Sequence, residues 1–102
     1  KQFTYQTLTV DFMGHTITIY DKEVKVTPKE YELLTYLIEN QNVAISREQL
    51  LSAMWGYDFY GDDRTIDTHI KMLRNNLGEY RDLITTVRGM GYKFEIPKKA
   101  NE

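Results

Sequence analysis

At 102 residues the chain has room for one hydrophobic core and not for two, so it reads as a single domain over residues 1–102. It contains no cysteine, which removes disulfide frameworks, thiolate zinc sites and cysteine nucleophiles together, and no apolar run approaches the roughly 20 residues that span a bilayer. A net charge of −2 argues on average against a nucleic-acid partner, yet residues 1–63 hold five Lys/Arg against ten Asp/Glu while residues 64–99 hold eight against four, and a polyanion feels the local field.

Residues 8–12 and 16–20 alternate apolar and polar side chains around Gly14, and Glu23-Val24-Lys25-Val26 repeats the pattern after Asp21-Lys22. This spacing predicts a small antiparallel sheet over residues 1–26 with one face buried, and it places His15 alone in a strand. The period then changes from 2 to 3.6. Thr27-Pro28-Lys29-Glu30 offers a capping hydroxyl, a proline suited to the first helical position and a carboxylate placed to complete a capping box. The helix that follows buries Tyr31, Leu34, Leu37 and Ile38 and fades at Asn40-Gln41-Asn42. A second box, Ser46-Arg47-Glu48-Gln49, opens a helix carrying Leu50, Leu51 and Met54, which stops near Trp55-Gly56. Residues 57–63 show no period and are rich in aromatics and acids, the pattern of an exposed loop.

A third helix begins at Asp63, read as its cap, with Asp67 in the first turn complementing the dipole. At about 100° per residue, Ile66, Ile70, Leu73 and Leu77 form one core-facing stripe, leaving Arg64, Thr68, Lys71, Met72 and Asn75 outward. Gly78 ends the helix. Residues 84–88 and 92–96 are two strands around Gly89-Met90-Gly91, a hairpin within residues 83–96 that presents Arg88 beside Gly89 at its tip.

The residues offer little to other chemistries. Two distant histidines do not make a metal site, the two serines do not suggest a triad, and Gly89-Met90-Gly91 does not open a helix as a phosphate-cradling loop must. No catalytic residue, cofactor or metal is expected. Trp55, Tyr57, Phe59 and Tyr60 either cover the core or face a partner protein.

Three helices over residues 27–78 followed by a hairpin is the α+β layout of a winged helix, a helix-turn-helix variant. The chain further resembles the C-terminal effector domain of OmpR/PhoB-type response regulators from residue 8 to residue 94. The resemblance is carried by Leu8-Thr9-Val10-Asp11, Thr27-Pro28-Lys29-Glu30-Tyr31-Glu32-Leu33-Leu34, Ser46-Arg47-Glu48-Gln49-Leu50-Leu51, Trp55-Gly56, Asp63-Arg64-Thr65-Ile66-Asp67-Thr68-His69-Ile70, Leu73-Arg74 and Thr86-Val87-Arg88-Gly89-Met90-Gly91-Tyr92-Lys93-Phe94, in that order.

That resemblance implies a four-stranded N-terminal sheet, three helices and a C-terminal β-hairpin wing. It also implies that double-stranded DNA is bound with the third helix in the major groove and the wing arginine in the minor groove. Backbone contacts fall on Arg64, Thr65, Lys71 and Arg74, base contacts on Thr68 and Met72, and wing contacts on Thr86, Arg88 and Tyr92, with Trp55 reaching a phosphate. Tyr57, Asp58, Phe59 and Tyr60 form the loop expected to meet RNA polymerase. The chain departs from its relatives where Met72, Asn75 and Asn76 replace basic residues, and where Lys22 replaces the usual glycine of a turn.

Because it opens on Lys1, the chain is expected to be a piece of a longer protein; the resemblance implies that this protein is cytoplasmic and carries a receiver domain in cis that is phosphorylated through a sensor histidine kinase. The isolated domain is expected to be a monomer, since its apolar residues are nearly all assigned to one core, and the resemblance implies that two such domains occupy direct-repeat sites head to tail. Three to five phosphate contacts would give a log-salt slope of about −3 to −5. A winged helix used only for protein–protein interaction is the rival reading.

Overall fold

Strand formation begins one element earlier than the alternation in residues 8–20 predicts. The computed structural model describes residues 1–56 and 62–98. In it β1 (Gln2–Tyr5), β2 (Leu8–Asp11), β3 (Thr16–Ile19) and β4 (Lys22–Glu23) form an antiparallel sheet in sequence order. Leu8, Val10 and Ile17 point inward and are fully buried, so period 2 held where one face meets the core. The strand expected over residues 23–26 shrinks to β4, because the chain must leave the sheet to enter the next helix at Thr27. The turn before β4 pairs Ile19 with Lys22 and puts both Tyr20 (φ 53°) and Asp21 (φ 64°) in the left-handed region. Those are the angles of a hairpin turn of mirror-image type, and the missing glycine is harmless because Lys22 already lies in the strand. His15 sits in a turn and not in a strand, with its ring stacked on Tyr31 at 4.9 Å.

α1 (Pro28–Glu39) starts as its sequence dictates, with Thr27 Oγ1 accepting from the Glu30 N–H at 3.2 Å. The other half of the box is not made. The Glu30 carboxylate is buried and accepts from Asn76 Nδ2 at 2.8 Å, joining α1 to the far end of the third helix. A two-residue strand, β5 (Ile45–Ser46), precedes α2 (Arg47–Trp55), whose first turn is capped by Ser46 Oγ at 3.0 Å from the Gln49 N–H.

α3 (Arg64–Leu77) corrects one expectation: Asp63 is itself helical in backbone and makes no side-chain cap. Asp62 does that work, accepting from the Arg64 N–H at 3.0 Å. A 3₁₀ helix (Gly78–Leu83) follows; its Tyr80 hydroxyl meets Thr7 and so ties this corner to the N-terminal sheet. β6 (Ile84–Val87) and β7 (Gly91–Phe94) are each shorter than the sequence suggests, which moves Arg88 into the turn and Gly91 into a strand. β5 joins them in a second sheet of order β5-β7-β6. At the Ser46–Gly91 pair the strands come so close that a Cβ on Gly91 would lie 2.0 Å from the Ile45 carbonyl oxygen. Phe94, fully buried, meets Phe3 edge-on and closes the core between the two sheets. No helix among the described residues is long and apolar enough to cross a membrane.

Candidate nucleic-acid interface

α3 is mounted by its apolar stripe. Ile66, Ile70, Leu73 and Leu77 are at most 1% exposed, and burying each contributes about 1.5–3 kcal/mol, against about 0–1 kcal/mol for an exposed ion pair. Burial therefore fixes which side of the helix faces out. Arg64, Thr68, Lys71, Met72 and Asn75 are all exposed, as the periodicity predicts. Thr65 is half-buried and its carbonyl accepts from His69 Nδ1 at 2.8 Å, so that ring is oriented within the helix; Trp55 meets it edge-on at 5.1 Å and carries Lys29 Nζ over its face.

The wing stands beside this helix and is fastened to it twice. Arg74 donates from Nε and Nη2 to the Ile84 carbonyl at 3.1 and 2.6 Å, and from Nη2 to Thr86 Oγ1 at 3.0 Å, with its guanidinium over the Tyr92 ring. Only its Nη1 amino group is left for an outside acceptor. Tyr92 is buried, and its hydroxyl donates to Asp67 Oδ1 at 2.7 Å. Burial, and then the hydrogen bond to Asp67, push the tyrosine pKa up to about 12, so it remains a donor throughout the physiological range. The other side of Asp67 is gripped by Arg47 of α2, Nη2 to Oδ2 at 2.6 Å and Nε to Oδ1 at 3.2 Å.

The turn carries Arg88, Gly89 at φ 76° and Met90, all exposed. Between this turn and the first turns of α2 and α3 lies a cleft of roughly 460 Å³, with Gly89 and Met90 on one wall and Asp63 and Asp67 on the other. The wing tip and the start of α3 thus flank one concave region, which the outward-face residues of α3 do not line.

Charge on this face is partly spoken for. Arg64 is paired with Asp62, Nη2 to Oδ2 at 2.8 Å, which raises the guanidinium pKa; the Arg64 backbone N–H, followed by its side chain, holds the Asp62 carboxyl below its ordinary range. Arg47 is likewise raised by its hydrogen bond to Asp67. Lys71 and Arg88 form no ion pair among the described residues. Local spacing could not reveal the Arg47–Asp67–Tyr92 contacts, because 20 and 25 residues separate the partners. Tyr57, Asp58, Phe59 and Tyr60 lie outside the described residues.

The sequence model of the family described as "Transcriptional regulatory protein, C terminal" matches residues 21–94. Over 96% of its length the chain is 47% identical to the transcriptional regulatory protein SrrA of Staphylococcus aureus, of whose length it spans 42%. The Klebsiella pneumoniae RstA DNA-binding domain, solved in complex with the RstA box, superposes with a TM-score of 0.82 at 26% identity, over 93% of this chain and 97% of that one. The OmpR/PhoB homologue DrrB of Thermotoga maritima superposes with a TM-score of 0.84 at 30% identity, over 93% of this chain and 44% of that one. With three helices, a β-hairpin wing and a family match across both, the chain belongs to the transcriptional regulatory protein C-terminal family as a winged-helix DNA-binding domain of the OmpR/PhoB response-regulator type, and not as an enzyme.

Proposed function

We propose that this domain recognises duplex DNA with α3 in the major groove and Arg88 of the wing in the adjacent minor groove, and that it regulates transcription as the output module of a two-component response regulator. The observation that carries the reading is the exposed polar face of α3 set beside an exposed arginine at a glycine-flanked tip. A helix fits the major groove, and an arginine on a narrow projection suits the electronegative minor groove. Lys71 and Arg88 supply charge directly, Arg64 after leaving Asp62; Thr65, Thr86 and Gly89 line the contact, and Thr68, Met72 and Asn75 face bases. Arg74 and Tyr92 act chiefly from within, holding the wing to the helix, and Trp55 borders the face beside His69.

In its longer parent this module follows a receiver domain that a sensor histidine kinase phosphorylates, and it works in the cytoplasm. The share of SrrA that the chain spans, 42%, leaves room for such a receiver. Alone, the domain is a monomer that fills direct-repeat sites head to tail, with Tyr57, Asp58, Phe59 and Tyr60 turned to RNA polymerase. Titrating a selected duplex into labelled protein should shift amides of residues 64–76 and 86–92. Shifts confined to the N-terminal sheet would overturn the DNA surface and favour an interaction module.

A further inference from the structure

We propose that Asp67 is a positioning residue that sets the angle between the recognition helix and the wing, with Arg47 and Tyr92 as its two arms. The inference rests on the two-groove reading above. Only if helix and wing engage the duplex together does their relative angle decide affinity.

One carboxylate joins three elements. Asp67 Oδ1 accepts from the Tyr92 hydroxyl of β7 at 2.7 Å and from Arg47 Nε at 3.2 Å, while Oδ2 accepts from Arg47 Nη2 at 2.6 Å. Among the described residues, the side-chain hydrogen bonds between α3 and the hairpin are this one to Tyr92 and those of Arg74 to Ile84 and Thr86. Asp67 and Arg74 are seven residues apart, about two turns, so they lie on one side of the helix as an upper and a lower fastening. Arg74 holds β6 at Ile84 and Thr86, and Asp67 holds β7 at Tyr92, the residue paired across from Thr86, so each strand of the hairpin has its own side-chain hydrogen bond to the helix.

Between the turn and the first turns of α2 and α3 lies the cleft of roughly 460 Å³, so the Arg88–Met90 turn does not itself fill the space against the helices. Remove the Asp67 hold and the hairpin keeps its pairing to β5 at Tyr92 and Gly91, but the hydrogen bond from β7 to the recognition helix is lost and the wing can tilt against that helix about the Arg74 contacts. The entropy of that tilt is then lost on binding instead of on folding, which is how pre-organisation sets affinity. Asp67 is 38% exposed, so its charge also repels phosphate. Electrostatics and positioning therefore predict opposite signs for its neutral variant.

The test uses the whole chain with Tyr92→Phe, which deletes one hydroxyl and no charge, and Asp67→Asn, on duplexes whose minor-groove flank is A·T-rich or G·C-rich. Both variants should bind the A·T-flanked site about 5- to 10-fold more weakly, with a much smaller loss on the G·C flank and with thermal unfolding still cooperative. In an Arg88→Ala background neither should add a further loss. Tighter binding by Asp67→Asn, or a Tyr92→Phe loss that persists undiminished without Arg88, overturns the inference. A flank-sensitive Arg88→Ala beside an inert Tyr92→Phe overturns this inference alone. An Arg88→Ala variant indifferent to the flank overturns the minor-groove reading, and this inference with it.

Discussion

Met72 is 45% exposed on the outward face of α3, one turn from Thr68, whose hydroxyl donates back to the Arg64 carbonyl at 3.1 Å. If α3 reads the major groove as proposed, the middle of that face offers bases a thioether and a methyl but no donor, which suits a thymine methyl better than the acceptors of guanine. Replacing thymine by uracil at the facing position should cost about 0.8 kcal/mol, the value of one buried methyl-sized group. Met72→Arg should move the preference towards guanine by about 1–3 kcal/mol. Selection from random duplexes that returns one sequence for both proteins would show that Met72 does not touch bases. Asp62 governs a second residue-scale effect, since it holds Arg64 in the absence of DNA and a phosphate must take its place. Asp62→Asn keeps an acceptor for the Arg64 N–H and should tighten binding while steepening the log-salt slope by about 0.9. Asp63→Asn removes the same charge one residue away; if it does as much as Asp62→Asn, the pair has no particular role.

The wing hairpin depends on a strand of two residues. Because Gly91 faces Ser46 with no space for a Cβ, Gly91→Ala must push β5 from β7 or bend the turn, at a cost of about 2–4 kcal/mol. Denaturant unfolding should register that loss. A change below about 0.5 kcal/mol would mean that β5 yields freely. Elements of this kind were the least legible in the sequence. α1 and α2 announced themselves through their caps and α3 through a period of 3.6, which are local signals, and the stripe of α3 was read residue for residue although its cap is Asp62 and not Asp63. β5 spans only Ile45–Ser46, too short to show a period, and the 3₁₀ helix after Gly78 has no repeat to detect. Glu30 went the same way: its spacing from Thr27 matches a capping box, but Asn76, 46 residues later, claims its carboxylate.

Over the whole molecule, sequence gives the number of charges and folding decides how many remain available. Eight Lys/Arg in residues 64–99 suggested three to five phosphate contacts. Arg74 is turned into the wing, Lys93 pairs with Glu95 and Arg64 with Asp62, so Lys71 and Arg88 are the cations of the proposed face that need no rearrangement. The log-salt slope of one domain should then be about −2, or about −3 if Arg64 exchanges partners, and a measured slope of −5 would mean that further cations reach the duplex. On α3 the residues that hold the helix in place, Ile66, Asp67, Ile70, Leu73, Arg74, Asn76 and Leu77, are distinct from Thr68, Lys71, Met72 and Asn75, which make no side-chain bond to another element among those described. Substitutions in the second set leave the mounting untouched, so under the proposed docking a lineage can drift from one operator to another without passing through an unstable intermediate.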